Sequence, residues 1–593
     1  MEVRNPRAVL KMFGKRIERW VPGIAAARGY QKRWLRSDLV AGLVLAAILV
    51  PQGMAYAELA GLPAVTGLYT TVACLIAYAL FGPSRVLVLG PDSSVSPLIY
   101  AALAPLLAGG DASDAIALAG MLALLVGAIE IGLGLGKLGF VADLLSNEVQ
   151  VGYMNGLGVT IVVGQLPKLF GLSTDGDGFV DEIEQFARHP GQTNLTTLAL
   201  GISVLVVLLG LPHIVPKVPA VLVGVVGATL ASSALNLAEK GVATVGALPR
   251  GVPAPSLPWT SASDVGPLII AAIGITLVSL TDTIATATSF AARRGDEVDP
   301  DQEMVGMGAA NLAAGFFQGF SISTSGSRTA VAEQSGAKSQ LTGVVGACLV
   351  LLLLLFLNTL LADLPQTALA AVVIAAALSL LDLGVLRRYY QVRRSSLLLS
   401  LTATAGVVLF GVLQGIVIAI VLSILLFFRR SWWPHGAVLG QVKGLDGWHN
   451  VNTFPDATQI PGIVVYRWES PLFFANAAAF RTEIRRIARE QQPRWIVLQC
   501  EAITDIDVTA AEMLRCLDDE LNIAGVHMAF AEMRHRLQDL TLKYGLLETL
   551  DRDHFYPTLE SALRQVQTID VADSAEAHAP DETDPETRME TEL

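Results

Sequence analysis

The chain has 593 residues, of which 52% are hydrophobic and 16% charged, and its net charge is -12. That balance lacks the basic footprint a nucleic-acid partner requires, and a water-soluble helical fold would need helices almost without polar faces. Cys74, Cys348, Cys500 and Cys516 show neither metal-ligand spacing nor a disulfide framework.

Residues 1–37 form a basic leader carrying Arg4, Arg7, Lys11, Lys15, Arg16, Arg19, Arg28, Lys32, Arg33 and Arg36. It has no apolar core or cleavage site of a signal peptide. Such a segment belongs on the cytoplasmic face, against anionic lipid. Residues 38–430 read as a membrane domain of about fourteen spans, each needing roughly 20 helical residues to cross. The spans start near Asp38, Pro63, Pro91, Ala115, Phe140, Leu195, Pro219, Pro267, Glu303, Ser327, Leu341, Thr367, Ser395 and Gly411. Basic residues fall in every second connection: Arg85, Lys137, Lys217, Arg293 with Arg294, Lys338, Arg387 to Arg394, and Arg429 with Arg430. The intervening connections are acidic or neutral, as at Asp175, Asp177, Asp181, Glu182, Glu184 and Asp363. This alternation predicts both termini in the cytoplasm of a cell-membrane protein.

The first spans are interrupted. Val50-Pro51-Gln52-Gly53-Met54-Ala55-Tyr56-Ala57-Glu58 is followed by Gly61-Leu62-Pro63, Gly67-Leu68-Tyr69, Gly82-Pro83-Ser84-Arg85 and Gly90-Pro91-Asp92-Ser93-Ser94. Backbone that breaks at membrane depth must line a protected polar cavity. A carboxylate there costs about 2.5–3.5 kcal/mol on insertion scales, so Asp92 needs a partner or a function. Ser323-Thr324-Ser325-Gly326-Ser327-Arg328 echoes the Asp92 break near the tenth predicted span, as the first lies near the third. An odd offset runs the two copies in opposite directions, the arrangement that inverted-repeat transporters use to place substrate between broken helices. Two half-helix N-termini facing each other would offer N–H groups and positive dipole ends to an anion.

Pro51 to Ala57, Gly61-Leu62-Pro63, Gly67-Leu68-Tyr69 and Ser84-Arg85 through Gly90-Pro91 resemble the signature of the sulfate permease (SulP) anion transporters. The resemblance implies the fold shared with uracil permease. Two inverted repeats of seven spans form a core bundle (spans one to four and eight to eleven) that moves as an elevator against a gate bundle, in a homodimer. It implies a substrate site built from Gln52, Tyr56, Asp92, Ser93, Ser94, Ser327 and Arg328. Asp92 departs from the vertebrate branch, which has an apolar or aromatic residue after Gly-Pro. Two roles are open to it: protonated in the loaded state, or turned away to bond backbone amides. Asp282 and Thr286 lie four apart on one helical face. A matching pair binds Na+ in cyanobacterial bicarbonate transporters of the family, and an acid in this span is tied to protons in plant sulfate symporters. The resemblance therefore implies a coupled Na+ or H+ and no other cofactor, against the alternative that Asp282 forms an ion pair with Arg328. Glu58 and Glu333 read as span-end residues, whereas Glu130 reads as buried.

Residues 431–461 read as a linker. From Gly462 to about residue 568 strands and helices alternate: strands at Ile463–Arg467, Arg494–Gln499 and His527–Ala531, helices at Ala477–Gln491 and up to Leu521. This order resembles the STAS domain that follows SulP membrane domains and also occurs in anti-sigma-factor antagonists. Asp507-Val508-Thr509-Ala510 matches the turn whose hydroxyl is phosphorylated in the antagonists. Thr509 is thus a regulatory candidate, although an N-cap is the preferred reading of this turn. A cytoplasmic STAS-binding protein would be the partner. Residues 569–593 read as an acidic, disordered tail. The expected activity is secondary active transport of sulfate, with bicarbonate or a dicarboxylate as alternatives of the same class and STAS-linked anion sensing as one of another. No Gly-Lys-Ser/Thr nucleotide loop supports ATP-driven transport, and no enzyme is expected.

Overall fold

A computed structural model describes residues 21–107, 111–172, 179–188, 190–215, 218–251, 253–546 and 554–576. Most of the basic leader, Lys217, Asp175, Asp177 and the acidic residues after Glu576 lie outside them.

The first unit, residues 1–424, is helical. A short helix α1 (Pro22–Arg28) precedes α2 (Leu35–Leu59) and α3 (Ala64–Phe81). A two-residue strand β1 (Leu89–Gly90) leads to α4 (Ser96–Leu103), then α5 (Ala112–Leu135), α6 (Asn147–Phe170), α7 (Phe179–Arg188), α8 (Leu195–Ile214) and α9 (Ala220–Ala234). The second half repeats the scheme with α10 (Ala262–Ala292), α11 (Pro300–Phe316), β2 (Ser323–Thr324), α12 (Gly326–Gln334), α13 (Leu341–Phe356), α14 (Gln366–Leu380), α15 (Leu383–Val392), α16 (Arg394–Phe410) and α17 (Val412–Trp432). Each expected span start meets a helix. The fifth is delayed because Gly139–Leu144 first forms a 3-10 turn. Six helices among the described residues are long and apolar enough to cross a membrane by length and composition. The helices after the two polar breaks, α4 and α12, are short because each starts only after its Gly- and Ser-rich break.

Local chemistry sets several starts. Asp299 caps α11 by accepting from the Asp301 and Gln302 amides, and Pro300 fits the first turn, where its missing N–H costs nothing. Asn194 caps α8 through the Thr196 and Thr197 amides. Asp38, fully buried in the first turn of α2, accepts from the Lys338 amide at 2.7 Å, the Ser339 hydroxyl at 2.7 Å and the Thr342 hydroxyl at 3.1 Å, fastening the start of α13.

The helices sort into two packed groups. In one, α11 lies against α5 and α3, α13 against α2 and α3, and α10 against α5. In the other, α6 packs on α14 and α16, and α8 on α14 and α9. Small residues bring backbones together where no hydrophobic force between helices exists. A Cβ on Gly308 would stand 2.6 Å from the Gly127 carbonyl oxygen, and one on Gly127 2.7 Å from that of Gly308. The α5–α11 seam is therefore closed backbone to backbone.

The second unit, residues 425–593, holds a sheet of β3 (Gly436–Gln441), β4 (Trp448–Asn450), β5 (Ile463–Trp468), β6 (Trp495–Gln499), β7 (His527–Ala531) and β8 (Phe555–Tyr556). The spatial order is β4-β3-β5-β6-β7-β8, antiparallel around β3 and parallel from β5 onward. Helices α18 (Ala477–Gln491) and α19 (Val508–Ile523) pack Phe480, Ile484 and Leu517 on one face, and α20 (His535–Lys543) joins them through Leu537. On the other face α21 (Leu559–Glu576) packs Leu559, Ala562 and Val566. Two expectations are corrected. The stretch 431–461 is no plain linker, because β3 pairs with β5 and buries Ala437 and Leu439. The final helix continues past residue 568 to Glu576.

Candidate functional site

The two polar breaks meet. Leu89 pairs with Thr324 and Gly90 with Ser323 in an antiparallel ladder, extended by the Ser325 amide donating to the Val88 carbonyl at 3.1 Å. The Thr329 hydroxyl accepts from the Val88 amide at 3.1 Å. This ladder brings the starts of α4 and α12 to one place from opposite directions of the chain.

Arg328, in the first turn of α12, is 1% exposed and lies behind the ladder. Its Nη2 stands 3.5 Å from Asp92 Oδ1, while Nε and Nη1 are buried without hydrogen-bond partners. Gly90 makes room for it, since a Cβ there would stand 3.0 Å from Nη1. Asp92 is held by its own turn: Oδ2 accepts from the Ser94 amide at 3.1 Å and the Ser94 hydroxyl at 2.9 Å. Its carbonyl accepts from the Ser96 hydroxyl at 2.8 Å. Of the two roles considered for Asp92, the bond to a backbone amide is made, by Oδ2, while Oδ1 faces the Arg328 guanidinium.

Tyr56 of α2 is buried within hydrogen-bonding reach of Ser93 and electrostatic reach of Asp92 and Arg328. Gln52, one turn earlier, is half-buried with its amide oxygen unpartnered. Ser325 caps α12, accepting from the Arg328 amide, and its hydroxyl lies 3.1 Å from that of the exposed Ser327. Asp282 of α10 is within reach of Ser94 and of the Asp92 charge. It does not pair with Arg328, whose carboxylate partner is Asp92. Thr286 faces the start of α12, its hydroxyl 3.9 Å from where a Gly326 Cβ would stand. Tyr56, Asp92, Ser93, Ser94, Asp282 and Arg328 therefore lie together, with Ser327 and Thr286 at the start of α12 and Gln52 one turn before Tyr56. Among the described residues, no three His, Cys, Asp or Glu side chains are grouped to hold a metal ion.

Sequence reasoning missed Tyr153 and the partners of Thr283 and Glu303. Tyr153 of α6, from the other helix group, is buried within electrostatic reach of Asp282, with its hydroxyl unpartnered. Thr283 and Thr324 share a hydrogen bond of 2.8 Å that ties α10 to β2. Glu303 bonds Tyr78 and Ser84. Glu333 pairs with Arg294 at 3.1 Å, as befits a helix-end acid. Two cavities, of 240 and 430 Å³, open away from the cluster, one around Arg85 and Arg294 and the other around Glu58 and Lys168. In the second unit Asp507 caps α19, accepting from the Ala510 amide at 2.8 Å, and Thr509 stands exposed beside it.

Comparison with known proteins gives the family and the fold. The profile of the sulfate permease family matches residues 35–403 and that of the STAS domain residues 454–562. A probable sulfate transporter of Mycobacterium tuberculosis is 42% identical over 547 residues, covering 92% of this chain and 98% of the relative. Human solute carrier family 26 member 6 is 33% identical over 76% of this chain and 63% of its own. The fold superimposes on the murine solute carrier 26 family member A9 anion transporter with a TM-score of 0.85 at 24% identity, over 96% of each chain. The transmembrane domain of a cyanobacterial bicarbonate transporter, BicA, covers 67% of this chain with a TM-score of 0.58 at 24% identity, 98% of that domain being matched. With its paired broken helices, its multi-pass helical unit and its α/β C-terminal unit, the chain belongs to the sulfate permease family of membrane transporters and is not an enzyme.

Proposed function

We propose that this chain is a secondary active transporter of the cell membrane that carries an inorganic anion, sulfate first, by an elevator movement of the helix group containing α4 and α12. One observation carries the reading. Arg328 is enclosed at the junction of two half-helix starts with two of its nitrogens, Nε and Nη1, unanswered, and a buried guanidinium in that state suits a tetrahedral oxyanion. Gln52, Tyr56, Ser93, Ser94 and Ser327 supply neutral donors around it, and Asp92 holds the guanidinium in place. Sulfate is preferred because relatives covering nearly the whole chain are named sulfate transporters. Asp282 and Thr286 form the coupling site for H+ or Na+. Cytoplasmic termini, a homodimer and a protein partner at the STAS domain complete the reading, with Thr509 as the place where a phosphate would meet a helix start.

The test is radiolabelled sulfate uptake by the purified chain in liposomes under imposed pH or Na+ gradients, with bicarbonate and succinate as competitors. Uptake that follows one gradient supports both substrate and coupling. Flux seen only with bicarbonate or a dicarboxylate would keep the fold and remove sulfate.

A further inference from the structure

Glu130 sits in the closed α5–α11 seam, one turn from Gly127, and is fully buried together with Ser279 of α10 and Asn311 of α11. Its Oε2 accepts from the Asn311 side-chain amide at 2.8 Å, and its Oε1 lies 3.0 Å from the Ser279 hydroxyl. The orientation of Asn311 is fixed, because its Oδ1 accepts from the Ile322 amide at 2.9 Å. Oε2 must therefore be an acceptor. The Ser279 hydroxyl also lies 3.1 Å from the Thr276 carbonyl oxygen. One hydroxyl proton faces two acceptor oxygens, of which the Thr276 carbonyl already takes its helical amide bond. A proton on Glu130 Oε1 lets both contacts be made: Glu130 donates to Ser279, and Ser279 donates to Thr276.

No charged side chain offsets an ionised Glu130 among the described residues. On α10, Asp282 faces Ser94 and Asp92. On α11, Glu303 bonds Tyr78 and Ser84, and Asp301 accepts from the Gly139 amide. On α5 itself Asp114 lies in the first turn, and α4 contains no acidic or basic residue. An unpaired charge in such a place is far more costly than a neutral acid.

The group is also wired to the candidate anion site. Ile322, whose amide fixes Asn311, immediately precedes β2, the strand that pairs with β1 and leads into Arg328. We propose that Glu130 is a proton-binding site, carrying its proton on Oε1 at neutral pH, and that loss of this proton disturbs the anion site through Asn311 and β2. The first half rests on the full burial of Glu130 among neutral partners with no cation facing it among the described residues, and the second rests on the anion reading given above.

Infrared difference spectroscopy of the full purified chain separates the two. Subtracting the Glu130→Gln spectrum from the wild-type one at pH 7 should reveal one carboxylic-acid C=O band, shifted in Ser279→Ala, which removes its acceptor. Glutamine imitates the protonated acid, donating to Ser279 and accepting from Asn311, so this variant keeps the fold. Identical acid bands in wild type and Glu130→Gln would overturn the proton site. For the link, sulfate affinity is measured from about pH 6 to about pH 9. It should weaken with rising pH in wild type and flatten in Glu130→Gln, and an unchanged pH dependence in the variant would overturn the link. A wild-type chain that binds no sulfate would refute the sulfate reading, leaving the infrared band to decide the proton site.

Discussion

Arg328 Nη2 and Asp92 Oδ1 stand 3.5 Å apart although 236 residues separate them, and each comes from the break of a different half-repeat. Arg328 is the more enclosed of the two, and Asp92 is the more heavily bonded. The cation thus has donors to spare, while the carboxylate is largely engaged by Ser94. On the proposed reading, this asymmetry leaves the guanidinium free to take an anion instead of closing into an ion pair.

Replacing Arg328 by Lys keeps the charge but removes the planar fork. Hydrogen bonds to charged groups contribute about 1.5–3 kcal/mol each, so sulfate affinity should fall about ten- to a hundredfold. Equilibrium binding of labelled sulfate to the purified variant checks this.

Asp92→Asn leaves a buried guanidinium without its counter-charge, a change that costs about 3–5 kcal/mol where pairs are fully buried. The melting temperature should drop without sulfate and recover more on adding sulfate than wild type gains. A sulfate-induced shift no larger than that of wild type would show that Asp92 does not compete with the anion for Arg328.

Asp282→Asn keeps the side-chain shape and removes the charge. Sulfate exchange between equal pools should survive, while accumulation driven by a pH or Na+ gradient should vanish. Normal gradient-driven accumulation in the variant would remove Asp282 from coupling.

How much of this was legible beforehand differs from residue to residue. The breaks at Gly90 to Ser94 and Ser323 to Arg328 were plain, because such clusters cannot continue a lipid-facing helix. The partner of Arg328 was not, since Asp92 and Asp282 were both available in sequence. The register of β1 against β2 decided it by placing Gly90 against the guanidinium. Glu130 read as buried, but Ser279 and Asn311 lie 149 and 181 residues away, beyond any local pattern. Strands β3 and β4 escaped notice because Gly436, Gly440 and Gly447 break up the alternation by which strands are recognised.

The backbone contact between Gly308 and Gly127 leaves no volume for a side chain. Overpacking a well-filled seam costs about 1–3 kcal/mol, occasionally more. Gly308→Val should therefore lower the thermal stability of the detergent-solubilised chain, whereas Gly132→Ala, at a position with open space, should leave it unchanged.

In the second unit Arg485 holds Glu520 with bonds of 2.7 and 2.6 Å, which keeps this carboxyl below the usual carboxylate range. A depressed folded-state value means the stabilisation is present above the unfolded value of about 4.3 and fades as pH falls through the folded one. Glu520→Gln should unfold more easily than wild type at pH 7, and the two unfolding curves should converge in acid once the pH lies below the folded-state value.

The β1–β2 ladder has a mechanical consequence. It ties the two broken helix starts together. Under the proposed elevator movement, a unit built this way would present one unchanged seat to both sides of the bilayer. Its intrinsic preference among anions should therefore be identical from inside and outside, and any sidedness in apparent affinity must come from the doorways rather than the seat.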